Sequence, residues 1–258
     1  MPQKKVCKFK ITKNMDDTDS LSSFFASPYF SSKHSTYFQV YDFLFSSYKQ
    51  KEITFLEIGV QGGGSLFMWR NFFGKKARII GIDLNPDAKK FEKYGFEILI
   101  GSQKDEKFLE DVKKKVGKID IVLDDGGHTY EQQIITAVSL LENIKDNGML
   151  VVEDTHTSYM EGFGPVEHSF INYVKELIDK INHRFSLLNQ KYSDNRIWSV
   201  EIFESIVAFK VNNKALQTIS QKIENSKKID GALQDFRNVD KTKVDILKYF
   251  KKTQADNF

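Results

Sequence analysis

Two short apolar runs, Ile119–Leu123 and Met149–Val152, constrain this chain most, because each is stopped abruptly by a pair of acids, Asp124-Asp125 and Glu153-Asp154. Between them Ile134, Ile135, Val138 and Leu141 recur at i, i+1, i+4 and i+7, which is helical spacing. Strand, helix, strand is the βαβ unit, which lays two parallel strands side by side with their carboxyl ends on one edge. Open α/β sheets bind their ligands at that edge. Four carboxylates and His128 therefore converge on one crevice.

The same alternation runs through most of the chain. Residues 33–49 place Tyr37, Val40, Tyr41 and Leu44 at helical spacing ahead of an apolar strand, Thr54–Ile58. That strand runs into a glycine cluster, Gly59 to Gly64, and then an aromatic helix, Leu66–Phe73. Ala77–Ile82 reads as a second strand ending at Asp83, with a helix from about Asp87, and Glu97–Ile100 as a third ending at Gly101-Ser102-Gln103. A charged helix, Asp105–Val116, precedes the fourth strand, and an Asn147-Gly148 turn introduces the fifth. Phe170–Ile181 is a further helix, and the runs Arg196–Phe203 and Ile206–Val211, split by Glu204-Ser205, pair as a hairpin. The pattern predicts an α/β domain with a mostly parallel sheet and an antiparallel edge. Residues 1–32 read as a polar arm or lid, 33–212 as the α/β domain, and 213–258 as a helical extension built from stretches near 213–227 and 230–251.

Charge and cysteine usage remove several classes. The net charge of +3 comes from 38 basic and 35 acidic residues mixed along the chain, without the basic stripe that a nucleic-acid partner would need. Cys7 is the single cysteine, so no internal disulfide framework exists and a reducing compartment is expected. The first residues lack the apolar core of a signal peptide, and no run reaches the roughly 18 apolar residues of a membrane span. A cytoplasmic protein is the expectation.

The glycine cluster and the next strand end describe a nucleoside site. A loose glycine turn lets a ligand approach the backbone, and a helix N-terminus favours polar or anionic groups. The dinucleotide fingerprint would need a glycine where Gln61 stands, which disfavours a pyrophosphate binder. Asp83, at the end of the second strand, can accept two hydrogen bonds from a ribose diol, and Ser102 and Gln103 end the third strand where an adenine would lie. Glu57, an acid in the first strand beside Gly59, suits a ligand that carries an ammonium group. Adenosine joined to an amino acid describes S-adenosylmethionine.

The stretches EIGV, IIGID, DIVLDDGGH and MLVVEDTHTSY resemble the class I S-adenosylmethionine-dependent methyltransferases. More narrowly they are similar to the metal-dependent sugar O-methyltransferases of the mycinamicin and macrocin group, over roughly residues 33–210. The resemblance implies a Rossmann-like fold with a mostly parallel seven-stranded sheet and an antiparallel C-terminal hairpin. It implies Asp125, Glu153 and Asp154 as metal-binding acids for Mg²⁺ or Mn²⁺ and His128 as general base. It also suggests that His34 and Tyr37 close over the cofactor, and leaves room for a homo-oligomer.

The chemistry suits these residues. Sugar hydroxyls are weak acids, so a divalent ion and a nearby base both assist their attack on a sulfonium methyl group. Hard oxygen ligands favour Mg²⁺ or Mn²⁺, whereas zinc would want more His or Cys. Successive residues of an extended chain face opposite sides, so Asp124 is expected to face the cofactor and Asp125 the metal. His156, His168 and His183 read as surface or loop residues. A sugar O-methyltransferase is the leading expectation. Methylation of a catechol-like diol, another chemistry on the same scaffold and a non-catalytic binding module are the alternatives.

Overall fold

The apolar runs form strands β1 (Thr54–Ile58), β2 (Arg78–Asp83), β3 (Glu97–Ile100), β4 (Ile119–Asp124), β5 (Ile144–Val152), β6 (Ser199–Phe203) and β7 (Ile206–Lys210). These belong to a computed structural model that describes residues 19–188, 190–225 and 242–247. The strands make one sheet in the order β3-β2-β1-β4-β5-β7-β6. β1 to β5 pair in parallel, while β7 joins β5 and β6 antiparallel, as the hairpin pattern predicts. This is the Rossmann-like architecture the motifs imply. Strand order reverses between β1 and β4, so a crevice opens where their carboxyl ends diverge.

The described helices are α1 (Ser20–Phe25), α2 (Tyr37–Phe45), α3 (Gly64–Phe73), α4 (Glu106–Val116), α5 (Tyr130–Leu140), α6 (Phe170–Asn182) and α7 (Asn213–Gln217). Adjacent strand residues point to opposite faces, and the core divides accordingly. Phe55, Ile79, Ile98, Ile121, Val151 and Ala208 pack with α2 and α3 on one face. Leu56, Ile80, Leu99, Val122, Leu150 and Phe209 pack with α4, α5 and α6 on the other. The first face is crowded with rings, which accounts for much of the unusual phenylalanine content: Phe38, Phe45, Phe55, Phe72, Phe73, Phe91 and Phe96 are all buried there. The chain divides into two compact units, Met1–Ser220 and Gln221–Phe258. Cys7, the start of the N-terminal arm and most of the expected helix over 230–251 lie outside the described residues. Among the described residues no helix is long and apolar enough to cross a membrane.

Several local expectations are corrected. β5 begins at Ile144, so Asn147-Gly148 is an irregularity inside the strand and not the turn before it. Asn147 takes φ 62°, and the register with β4 shifts between Ile119 and Ile121. The segment after Asp83 is a 3-10 helix, Pro86–Tyr94, capped by the Asn85 side chain. The buried side of α5 is Gln133, Thr136, Ala137 and Leu140, whereas Val138 of the expected stripe is 48% exposed. Polar Gln133 and Thr136 are inside because they hold the acid loops, as described below.

Trp69 ties α3 to the sheet. Its ring is fully buried with centroids 5.0 Å from Phe55 and 5.1 Å from Tyr41, and its indole N–H donates to Glu57 Oε1 at 3.0 Å. Trp69→Ala removes that packing and a partner of a buried carboxyl, and is expected to lower stability by about 3–5 kcal/mol in urea unfolding.

Candidate active site

The period-two alternation decides which acids meet. Glu57, Asp125 and Glu153 follow Phe55, Leu123 and Val151, all on the α2–α3 side of the sheet, so the three carboxyls gather there. Buried carboxylates tolerate such company only with hydrogen bonds or counter-charge. Glu57 receives Trp69 Nε1 at 3.0 Å and Ser65 Oγ at 2.8 Å. Glu153 is fully buried, and its Oε1 accepts from Tyr41 OH at 2.6 Å. Lys33 supplies the cation: its Nζ lies 2.5 Å from Asp125 Oδ2 and 2.8 Å from Glu153 Oε2, with the side chain only 2% exposed. Burial alone would lower the lysine, but Asp125 and Glu153 outweigh it and hold Lys33 above its ordinary value. Burial pushes Glu57 up to about 7 and holds Glu153 well above the carboxylate range, against the opposing charge of Lys33 in both cases.

Beside this group stand His128 and Asp154, both in the left-handed region at φ 59° and 55°. Non-glycine residues hold that conformation only where their surroundings enforce it, typically at functional sites. Thr157 enforces it here, donating its hydroxyl to the carbonyls of His128 at 3.0 Å and Asp154 at 2.9 Å. His128 Nε2 then sits 3.2 Å from Asp154 Oδ2. The other oxygen of Asp154 accepts from Tyr37 OH, which also lies 2.8 Å from Ser205 Oγ. Asp125, His128 and Asp154 offer ligand atoms all within 4.8 Å of one another, a spacing that suits a divalent ion. Glu153, whose two oxygens are occupied by Tyr41 and Lys33, is outside that group. These residues, with Ser32 and Lys33, line a polar cleft.

A second cleft adjoins it across Gln61 and Asp125. It is lined by Gly59, Ile82, Asp83, Leu84, Gly101 and the Gly126-Gly127 backbone. Three backbone N–H groups hold Asp83 at its edge: Val60 and Gln61 donate to Oδ2 and Asn85 to Oδ1, each at 2.8 Å. Gly59 takes φ 97°, and a Cβ there would fall 2.1 Å from the carbonyl oxygen of Asp125. The glycine is thus required where the two acid-bearing loops touch. Its mixture of apolar walls, bare backbone and one carboxylate fits a nucleoside with a diol.

Asp124 faces the other way, towards α5. Gln103 Nε2 donates to its two oxygens at 3.0 and 3.2 Å and to Thr136 Oγ1 at 3.1 Å, while Gln103 Oε1 accepts from Gly127 N at 3.0 Å. Burial pushes Asp124 up to about 6, against hydrogen bonds from Thr136, the Gly126 N–H and Gln103. Gln133, also on α5, donates to the carbonyl of Glu153 at 2.9 Å.

The expected roles divide unevenly. The structure brings Asp125, His128 and Asp154 together and sets Gly59 and Asp83 on the neighbouring cleft. Glu57 points to α3, where Trp69 and Ser65 bond it, and it is not among the residues that line the two clefts. Asp124 is enclosed, accepts from Gly126 N and is joined through Gln103 to Gly127 N. Gln103 reaches the cleft beside Asp83 but spends its amide on that network, and Ser102 accepts from Lys104 N at 3.2 Å. His34 and Tyr37 line the polar cleft beside the acids, away from Asp83. His156, read as a loop residue, lies with Nδ1 2.5 Å from Ser205 Oγ and its ring 5.8 Å from that of His34. No local pattern in the sequence marks Lys33, because its partners stand 92 and 120 residues away.

Residues 56–155 match a family described as "Methyltransferase domain". The chain is 34% identical over 181 residues to the mycinamicin VI 2''-O-methyltransferase of Micromonospora griseorubida, covering 65% of this chain and 45% of that one. It is 29% identical over 207 residues to the demethylmacrocin O-methyltransferase of Streptomyces fradiae, covering 74% and 52%. The chain spans about half the length of these curated relatives. Among solved structures it is similar to the MycE methyltransferase of the mycinamycin pathway in complex with Mg and SAH, with a TM-score of 0.66 at 28% identity over 75% of this chain and 52% of that one. The likeness to methyltransferases carried by the motifs is borne out.

The raised carboxyls make stability depend on pH. Asp124 and Glu57 keep protons in the folded chain that the unfolded chain has released, so their contribution is full below the ordinary carboxylate range. It is lost as pH rises through about 6 for Asp124 and about 7 for Glu57. The urea midpoint is expected to fall between about pH 4 and about pH 7, and Glu57→Gln to flatten the upper part of that fall.

Proposed function

We propose that this chain, which carries a methyltransferase domain over residues 56–155, is an S-adenosylmethionine-dependent O-methyltransferase that acts on a sugar hydroxyl. The observation that carries the reading is the adjacency of two clefts that share Asp125: one fitted to a nucleoside, the other lined by His128, Asp154 and Asp125. The relatives support it, since they are named as O-methyltransferases of sugar-bearing natural products, and a MycE structure carries Mg, SAH and mycinamycin VI together.

Bound S-adenosylmethionine supplies an activated methyl group. Asp83 would take its ribose hydroxyls, and the Gly59 turn and the Gly126-Gly127 backbone would hold the nucleoside so that the methyl carbon faces the polar cleft. An acceptor oxygen then forms a bond to that carbon as the carbon–sulfur bond breaks, the electron pair staying on sulfur. His128 accepts the hydroxyl proton, and Asp154, 3.2 Å away, stabilises the imidazolium. Asp125 and Asp154 fit a divalent ion such as Mg²⁺ or Mn²⁺, which would lower the hydroxyl pKa. An acceptor in the form of a glycan, a sugar nucleotide or a glycosylated natural product suits the open, polar lining.

Asp83→Ala is expected to weaken S-adenosylmethionine binding by roughly 10–100-fold in calorimetry, and unchanged affinity would remove the cofactor assignment. His128→Ala should leave that affinity within about threefold while kcat on a sugar acceptor falls by roughly 10²–10⁴-fold. Chelation with EDTA should abolish methyl transfer, read as a methyl mass gain on the acceptor, and Mg²⁺ or Mn²⁺ should restore it.

A further inference from the structure

We infer that a groove centred on Trp198, at the amino ends of the parallel strands, is a second binding site and that its ligand is a neutral oligosaccharide. The choice of a saccharide rests on the sugar reading proposed above and deepens it.

Trp198 stands away from the acids. Its backbone N–H donates to the carbonyl of Lys210 at 2.8 Å, and Lys210 pairs with Met149, four residues before Glu153 on β5. At about 3.3 Å per residue, that pairing lies roughly 13 Å along the strand from the acidic edge. The Trp198 ring is 44% exposed, and its indole N–H has no acceptor among the described residues. A half-wet indole suits a partner with one apolar and one polar side. The ring forms a wall of two clefts at once, of about 350 and 220 Å³.

The other walls indicate the class of ligand. One cleft adds Ser193 and Asn195, the other Ser47, Asn212 and the ring of Phe43, which is 69% exposed. Hydroxyls and amides beside exposed rings complement a pyranose, which has a polar rim and apolar C–H faces. Each cleft has one charged lining residue, and both charges are already engaged. Arg184 donates from Nε to the carbonyl of Ile181 at 3.2 Å, from Nη1 to those of Asp194 at 3.3 Å and Ile197, and from Nη2 to that of Trp198 at 3.0 Å. Lys210 Nζ lies 2.6 Å from Glu201 Oε1. An anionic ligand would therefore meet no unpaired cation in these walls. The bonds of Arg184 also fix the backbone that carries Trp198, so binding there costs little ordering.

The chain has two tryptophans, and Trp69 is fully buried, so two indole N–H resonances report separately on groove and core. The test follows both in the isotope-labelled full chain, the Trp198 signal being assigned by its loss in Trp198→Phe. The probes are neutral hexose and deoxyhexose oligosaccharides, with an oligohexuronate as the anionic control. At least one neutral probe is expected to shift the Trp198 signal and leave that of Trp69 in place. Trp198→Ala should then bind that probe about tenfold more weakly or worse in calorimetry, with Trp198→Phe between the two. The inference is overturned if no neutral probe moves the signal at about 10 mM, if only the oligohexuronate does, or if Trp198→Ala binds unchanged. A shift that follows protein concentration without any sugar would assign the groove to a second copy of the chain, and overturns it too. Should the chain methylate no sugar while Trp198 still responds, the proposed reaction falls and the groove stands.

Discussion

Lys33 places a buried ammonium 2.5 Å from Asp125 and 2.8 Å from Glu153, at the edge where the sheet collects its carboxylates. A parallel sheet with acids at successive strand ends gathers like charges whether or not the chain can bear them. Glu57, Asp125 and Glu153 share a face because each lies two residues after a core position on that face. Removing one partner from a buried ion pair typically costs about 3–5 kcal/mol, since the other charge is left without compensation. The lysine therefore does more than decorate the cleft. It allows α2 and the segment before it to lie against the sheet, and with them Tyr37 and Tyr41, whose hydroxyls complete Asp154 and Glu153.

That segment is fastened at further points, and these explain part of the glycine cluster. Ser27 Oγ donates to the carbonyl of Gly64 at 2.9 Å, and Gly64 N donates to the carbonyl of Phe30 at 3.2 Å. A Cβ on Gly64 would fall 2.4 Å from the carbonyl oxygen of Tyr29. Gly59 makes room for the Asp125 loop in the same way. The cluster serves close backbone contact at both ends. The cleft bordered by Gly59, Gln61 and Asp83 adjoins these contacts.

The sequence announces the parallel strands and their ends because each of these apolar runs stops at glycine or acid. Parallel central strands are buried on both faces and read as continuous hydrophobic runs. The acids and His128 at the strand ends are legible in the DDGGH and VVED stretches, whereas the left-handed turns at His128 and Asp154 that aim them are not. What escapes is whatever depends on distant pairing. Nothing near Lys33 marks it as buried, because its counter-charges arrive from β4 and β5. The burial of Gln133 and Thr136 is equally hidden. An amphipathic reading of α5 assigns polar residues to solvent, and here they face inward to bond Glu153 and Gln103. His156 is drawn in by Ser205, a residue of the β6–β7 turn that sequence spacing does not connect to it.

Identical side chains in one motif can thus do different work. Asp124 and Asp125 are neighbours, yet one is enclosed, held by Gln103 and pushed up by burial, while the other borders both clefts. Glu153 and Asp154 divide likewise, the first buried against Tyr41 and Lys33, the second turned by a left-handed backbone towards His128. A motif conveys residue types and spacing, and spacing sets which face of the sheet each residue meets. Whether a carboxylate then binds a ligand or supports the fold depends on what waits on that face. On the α2 side it is Lys33, whose ammonium binds Asp125 and Glu153 together, while Asp125, His128 and Asp154 bring their ligand atoms within 4.8 Å of one another beside it.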